Sequence, residues 1–382
     1  MRKIKIAHII TKLELGGAQT NTLYTVENLD KTKFTVVLIC GKGGILDNDA
    51  KKIKNIKLIF LNFLIRKINP IKDILALIEL FCILYKEKPD IVHTHSSKAG
   101  IIGRWAAFFC GIKCIIHTYH GFGFNNYQKL FVKFSFIFSE RLTAIITDKL
   151  IAVAKENIIC GLKNKIGNFK KYILIRSGIK IKNFQKEYNL ENLRKKFNLE
   201  HNEKLITTIG PFKPQKNLID FINVAYFVSK EYKNVKFFII GDGQERGKIE
   251  TKIKELNLET KIYLLGWQRD ISEILHITDI FVLTSLWEGL PKSVVEAMVS
   301  GKSVVCYAVD GIKEIVKNNI NGFLIKPKDV NDMSEKILLL LKDDNLRIKF
   351  GIQSKHLIGQ EFDIDYMVWQ QENLYRSIKM LP

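Results

Sequence analysis

The sequence predicts an α/β chain built from two doubly wound parallel-sheet domains. Three observations lead there. At 382 residues the chain is too long for one comfortable core and fits two domains of ordinary size. Short β-branched runs alternate with helix-length segments from Ile4 onward, the pattern of βαβ units. The alternation stops at a polar stretch, Lys180 to Lys204, and then begins again.

In order, "KIKIAHII" reads as a first buried strand, "AQTNTLYTVENL" as a helix and "FTVVLIC" as a second strand. "DIVHTHS", "GIIGRWAAFF", "CIIHTYHG" and "KLIAVA" continue the grammar. After the break come "KLITTIG", "LIDFINVAYFVSKEY", "VKFFIIGDG", "KIYLLG", "ISEILHITD", "IFVLTS" and "KSVVCYAV". The expected division is a first domain over 1–178, a linker over 179–204 and a second domain over 205–355. A C-terminal helix over 356–382 is expected to pack back towards the first domain.

The N-terminal run Ile4 to Ile10 is broken by Lys5 and His8 and lacks a small-residue cleavage pattern, so it reads as a strand and not a secretory signal. "ILALIELFCILY" is too short to cross a bilayer, which takes roughly 20 apolar residues. Six cysteines without a Cys-x-x-Cys pair read as reduced core residues of a cytosolic protein. Net charge is +21, and its distribution is uneven: residues 1–175 hold 28 basic against 12 acidic side chains, the remainder 32 against 27. A basic first half attracts polyanions, meaning nucleic acid, anionic lipid or phosphorylated substrates. No nucleic-acid module accompanies it, so no nucleic-acid partner is expected.

Ligands of open parallel sheets bind beyond the carboxyl ends of the strands, which directs attention to strand-end turns. Gly16 and Gly17 follow the first strand and open a helix, where backbone amides can face an anion. His93, His95, His117 and His120 fall within 28 residues. Two alternate along a strand with no carboxylate cluster nearby, so no metal is expected. His120 stands at a strand end beside Gly121 and Gly123, suited to a sugar hydroxyl or a phosphate. "TTIGPFKPQKN" supplies Gly210, Lys213 and Lys216, and "IIGDGQE" supplies Gly241. In "WEGLPKSVVEAM" a strand ends, Leu290 and Pro291 turn the chain with Pro291 as first helical position, and free amides of Lys292, Ser293 and Val294 are expected to project from the helix start. Glu296 is placed to accept from two ribose hydroxyls and Glu288 to touch the group carried on a diphosphate. The geometry suits a nucleotide sugar.

The order of "GGAQ", "HTHSSKAG", "HTYHGF", "PQKN", "GDG", "LGWQRDI", "EGLPKSVVE" and "NGFLI" resembles family four of the GT-B glycosyltransferases over nearly the whole chain. The resemblance implies two Rossmann-like domains facing across a cleft, with the acceptor bound mainly by the first and the donor mainly by the second. It implies a retaining, metal-independent transfer. By resemblance Gly17 approaches the donor phosphates, His120 the transferred sugar, Lys216 the departing diphosphate, Glu288 the sugar, Glu296 the ribose and the backbone near Gln268 the base. One position departs: the family's usual Arg after Gly210 is Pro211 here, which removes one cation unless Lys213 replaces it. Removing Lys216 is expected to depress turnover and leave the fold intact.

Related enzymes with the "HTHSSKAG" pattern build bacterial capsule, lipopolysaccharide or other surface glycans on polyprenyl diphosphate, so the expected partners are a nucleotide sugar, UDP-linked in preference, and a lipid-linked saccharide. The segment "GFGFNNYQKLFVKFSFIFSERL" mixes Phe122, Phe124, Phe131, Phe134, Phe136 and Phe138 with Lys129, Lys133 and Arg141, which suits the anionic inner face of the plasma membrane. A nucleotide-sugar epimerase of similar fold and a non-enzymatic basic protein are the alternative readings.

Overall fold

The structure, a computed structural model, describes residues 2–379. The chain divides into two compact units: residues 1–178 with 364–382, and residues 179–363.

The first unit is built on seven strands, β1 (Ile4–Lys12), β2 (Phe34–Gly41), β3 (Ile56–Leu61), β4 (Ile91–His95), β5 (Cys114–Tyr119), β6 (Lys149–Ala152) and β7 (Tyr172–Leu174). Their order is β3-β2-β1-β4-β5-β6-β7, and every recorded pairing is parallel. A parallel sheet is covered on both faces, which is why the strands read as near-continuous apolar runs. One face carries Ile6, Ile10, Val36, Leu38 and Ile116 against the helices Gly17–Asn28 and Ile364–Lys379, the latter contributing Met367, Val368 and Tyr375. The other carries Ile9, Val37 and Val92 against the helices Pro70–Glu87 and Ser97–Phe109. Strand order reverses between β1 and β4, so the turns after those two strands flank the switch point where such sheets bind ligands.

The second unit repeats the plan with β8 (Lys204–Ile209), β9 (Val235–Ile240), β10 (Ile262–Gly266), β11 (Ile280–Leu283), β12 (Ser303–Tyr307) and β13 (Gly322–Ile325) in the order β10-β9-β8-β11-β12-β13. Here the switch point lies between β8 and β11. The two turns it singles out, after Ile209 and after Leu283, are those that hold Lys216 and Glu288.

Two expectations about organisation change. Residues 179–204 are no linker: they contain the helices Ile181–Phe184 and Leu190–Lys196, and Leu193 and Leu199 enter the same core as Leu205, Phe238 and Ile274. The density of lysine in this stretch conceals a short amphipathic repeat. The last helix that joins the first unit starts at Ile364, so residues 356–363 belong with the second unit. The cysteines are all free, but only Cys40, Cys114 and Cys306 are core residues; Cys82 is exposed and Cys110 and Cys160 are half-buried. Among the described residues no helix is long and apolar enough to cross a membrane.

Candidate active site

In the first unit, β5 ends at Tyr119 and delivers His120 to the sheet's carboxyl edge. The residue before it is fixed by charge: Tyr119 donates to Glu140 Oε2 at 2.7 Å, and the same oxygen receives Arg104 Nη2 at 2.7 Å. Arg104 is fully buried, so the pair is held by close geometry and extra hydrogen bonds, without which buried ions are unfavourable. Burial, and next the Glu140 carboxylate, push the Tyr119 hydroxyl well above its ordinary value and keep it a donor. A small hollow of mixed lining adjoins His120, bordered by Asn21, Thr25, His95, Arg176 and Gln371 together with apolar residues such as Met367. Asn21 and Thr25 come from the helix that Gly16 caps and Gly17 begins; its first turn holds no acidic residue, which leaves the positive helix end unopposed.

Of the four clustered histidines, His93 and His95 share a face and His117 turns to the other, where its Nδ1 lies 2.8 Å from Thr94 Oγ1. A fifth, His8, pairs in register with His93. His8, His93 and His95 each bring one ring nitrogen within 4.8 Å of the others and are the residues that could hold a metal. Most of their nitrogens are otherwise engaged, although His8 Nε2 is buried without a hydrogen-bond partner. His93 meets Tyr375 Oη at 2.6 Å and Thr118 Oγ1 at 2.7 Å, and His8 Nδ1 meets His95 Nε2 at 3.1 Å. Burial pushes His8 down to about 3, with the charge of Lys31 adding to it. Burial first, then neighbouring histidines, also push His93 and His95 well below the ordinary imidazole value.

In the second unit the two switch-point turns are stitched together. Leu286 N–H donates to Gln215 O at 2.8 Å, Gln215 Nε2 to Trp287 O at 2.8 Å, and Thr284 Oγ1 to Lys216 O at 3.0 Å. The stitching brings Lys216 and Glu288 into a buried ion pair, with side chains 10% and 9% exposed. Asp310 accepts the Glu288 N–H at 2.7 Å. Gly210 is needed here because a Cβ would sit 2.7 Å from Lys216 Cε. Gly241 (φ +129°) is needed more: its Cβ would lie 2.0 Å from the Gly210 carbonyl oxygen. Lys213 is half-buried, with its N–H bonded to Pro211 O at 2.8 Å.

The helix Lys292–Val299 begins one residue later than the sequence suggests, with Pro291 as its extended cap. Of the three amides expected to project, Val294 N–H turns back to Pro291 O at 3.2 Å, leaving Lys292 and Ser293 as the helix end. No acidic residue occupies that first turn. Glu296, one turn on, is half-buried; burial pushes its carboxyl upward, opposed by Lys292, while burial lowers Lys292 against the pull of Glu296. Leu290 is buried beneath the turn. Gln268 is exposed beyond β10, its Nε2 bonded to Leu265 O at 2.8 Å, and its loop reaches Gly241 through Gly241 N–H to Gly266 O at 2.8 Å.

Thus Gly210, Lys216, Gly241 and Glu288 are brought into direct contact or one residue from it, and Lys292 and Glu296 share one helix. The pair alters one expectation: removing Lys216 alone strands a buried carboxylate and so disturbs stability as well as chemistry. His8, Arg176, Gln371 and Asp310 were missed. Arg176 and Asp310 could have been found as polar residues directly after strand-like runs; His8 and Gln371 look like ordinary strand and helix residues.

The model for Glycosyltransferase Family 4 matches residues 15–156, and the model for Glycosyl transferases group 1 matches residues 189–357. The chain is 35% identical to the UDP-Gal:alpha-D-GlcNAc-diphosphoundecaprenol alpha-1,3-galactosyltransferase of Escherichia coli, over 98% of this chain and 97% of that protein. It is 28% identical to the N,N'-diacetylbacillosaminyl-diphospho-undecaprenol alpha-1,3-N-acetylgalactosaminyltransferase of Campylobacter jejuni, over 80% and 82%. The crystal structure of Anabaena HepE in complex with UDP superposes with a TM-score of 0.82 at 18% identity, covering 98% of this chain and all of that one. With one relative above 30% identity along nearly its full length and two family models accounting for both units, the chain belongs to family four of the glycosyltransferases, with the GT-B fold.

Proposed function

We propose that the protein transfers a hexosyl or N-acetylhexosaminyl group, galactosyl first among them, from a UDP-sugar to a saccharide carried on polyprenyl diphosphate, with retention of anomeric configuration and without a metal. The observation that carries this reading is the 35% identity along 98% of the chain to a galactosyltransferase whose name specifies such a donor and acceptor.

The second unit supports the donor half. Lys216 and the start of the helix Lys292–Val299 supply positive charge and oriented peptide groups for a diphosphate that leaves during transfer, and preorganised groups of this kind lower the barrier without reorganising. The buried carboxylate of Glu288 holds the Lys216 amine in place before the donor arrives and lies where the sugar would follow the diphosphate. Glu296 takes the ribose hydroxyls, the loop at Gln268 the base, and Lys213 the charge that Pro211 does not provide. In the first unit, His120 is the residue assigned to the transferred sugar, and Gly16 and Gly17 are those assigned to the donor phosphates. Attack occurs from the face the diphosphate vacates, so no enzymic nucleophile is assigned.

The acceptor half includes the anionic inner face of the membrane. Phe131, Phe134 and Phe138 on the helix Leu130–Ile145 are 83%, 63% and 62% exposed, with Lys129 and Arg141 also exposed. Phe122, Phe124 and Phe136, grouped with them in the sequence, pack into the core with Tyr119 and Tyr172 instead. Helix Pro70–Glu87 adds exposed Ile71, Ile74, Ile78, Phe81 and Tyr85 at three- and four-residue spacing, one continuous stripe.

The test is a transfer assay in EDTA with UDP-galactose, UDP-glucose, UDP-GlcNAc and UDP-GalNAc, each with GlcNAc-diphosphoundecaprenol. Transfer of a sugar in α linkage from one of them is expected. Conversion of the UDP-sugar to its epimer without acceptor, or transfer from none of the four, rejects the reading.

A further inference from the structure

In the second unit β11 lies between β8 and β12, so the turn that carries Glu288 is flanked by the turns after both neighbours. Each neighbour holds a different stretch of it. The turn after β8 takes the first: Leu286 N–H donates to Gln215 O and Gln215 Nε2 donates to Trp287 O, both at 2.8 Å. The turn after β12 takes the next: Glu288 N–H donates to Asp310 Oδ2 at 2.7 Å, and Gly311 N–H donates to Gly289 O at 3.1 Å. The main chain around Glu288 is thus held from both sides, and the bond at Glu288 itself is made by a carboxylate.

Two features set Asp310 apart from an ordinary turn aspartate. Such a residue bonds the backbone about two positions on. Asp310 Oδ2 reaches back 22 positions, to the residue whose own carboxylate pairs with Lys216. Asp310 also holds φ at +36°, in the left-handed region, although the glycine of this turn stands at the next position, where φ is an ordinary −65°. Glycine takes the left-handed region without steric cost, and another residue persists there where its surroundings over-determine it. The side chain at position 310 therefore has work that a glycine could not do. A bond to an ionised acceptor is about twice as strong as one to a neutral acceptor. Without it the Glu288 peptide can turn, and a displacement of about 1 Å in a group that positions a substrate costs about a hundredfold in rate.

We propose that Asp310 is a positioning residue for sugar transfer: by accepting the Glu288 N–H it fixes the main chain from which the Glu288 carboxylate reaches Lys216, and so sets where both groups stand when the donor binds. The inference rests on the proposed placement of Glu288 beside the transferred sugar. It deepens that placement by naming the residue that secures it. Asp310 acts through Glu288 and not on the reacting atoms.

The test uses the full chain in two arms and two variants that both tolerate the left-handed conformation. Asp310→Gly removes the acceptor; Asp310→Asn keeps an acceptor oxygen. In the first arm, NMR of 15N-glutamate-labelled protein without substrate reads hydrogen exchange at the Glu288 amide, assigned by the signal lost in Glu288→Gln. Slow exchange in the wild type, exchange at least about tenfold faster in Asp310→Gly and a return to within about threefold in Asp310→Asn are expected. A wild-type amide that exchanges like one in open water overturns the proposal and needs no variant to fold. In the second arm, with UDP-galactose and GlcNAc-diphosphoundecaprenol, Asp310→Gly is expected to lower kcat about tenfold or more, with the Kd for UDP, which lacks the sugar, within about threefold by calorimetry. Asp310→Asn is expected to restore kcat to within about threefold of wild type. Unchanged kcat in a folded Asp310→Gly, or UDP affinity lost in step with kcat, overturns it. A wild-type protein that transfers no sugar refutes the functional reading, and the exchange arm still decides whether Asp310 fixes the Glu288 backbone.

Discussion

His93 Nδ1 meets the hydroxyl of Tyr375 at 2.6 Å, a buried hydrogen bond between residues 282 positions apart. Through it the helix Ile364–Lys379 holds the histidine whose ring lies tilted beside that of His95. Tyr375→Phe removes the hydroxyl and leaves a buried ring nitrogen unpaired, which costs about 1–3 kcal/mol. Thermal unfolding should show a lower midpoint for the transition of the first unit, with that of the second unchanged. An unaltered first transition would mean that the hydroxyl holds nothing.

Lys216→Ala is expected to lower turnover by about 10²–10³-fold, the usual consequence of removing a donor aimed at developing charge. Leaving Glu288 buried and unpaired also destabilises the second unit by about 3–5 kcal/mol. The double variant Lys216→Ala with Glu288→Gln separates the effects: stability returns in large part, turnover does not. Recovery of turnover in the double variant would exclude Lys216 from the chemistry.

Glu296 gives a pH dependence of definite sign. Its folded carboxyl is raised by burial above the ordinary glutamate value, so the folded state binds more protons than the unfolded state as pH rises from about 4.5 towards the raised value. The stability linked to Glu296 is complete below that window and is lost through it. Glu296→Gln should therefore melt higher relative to wild type at pH 7.5 than at pH 4.5. The opposite trend would place the carboxylate in a stabilising ion pair.

Gly241→Ala places a methyl group 2.0 Å from a backbone oxygen at a φ of +129°. Backbone strain alone costs about 1–3 kcal/mol, and the turns after β8 and β9 must also part. Lowered thermal stability together with weaker UDP binding by calorimetry is expected; Gly247→Ala, in the helix Arg246–Glu255 with nothing within 4 Å of its Cβ, serves as control and should lower neither.

Exchange of Phe131, Phe134 and Phe138 for serine should abolish flotation with anionic vesicles while leaving the melting temperature within about 2 °C, because all three rings are already in water. Flotation of the wild type with neutral vesicles alone would remove the role given to the basic residues.

Much of this was legible in the sequence. The two sheets, the strand ends and the turns bearing Lys216 and Glu288 follow from periodicity and turn chemistry. That Lys216 and Glu288 meet does not, because they are 72 positions apart and join only once β8 and β11 become neighbours, a matter of strand order and not of local pattern. His8 was hidden for a related reason: inside "KIAHII" it looks like an interruption of an apolar strand, and its partners arrive from β4. Helical phase turns Phe136 to the core and Phe131, Phe134 and Phe138 to the surface, while Phe122 and Phe124 reach the core from the preceding loop, a division that a count of aromatic residues cannot see. The stretch 179–204 was misread because its lysines outnumber the few leucines that anchor it.

The chain leaves the first unit at Gly178 and comes back at Ile364, so the second unit is an insertion within the first. During synthesis the inserted portion can emerge entire and mature on its own, whereas the earlier portion must wait for the helix Ile364–Lys379 before one face of its sheet is fully covered. Until that helix is made, the side of the sheet that carries His8, His93 and His95 has only part of its cover, and a stop codon ahead of Ile364 would strand the half of the protein that was made first.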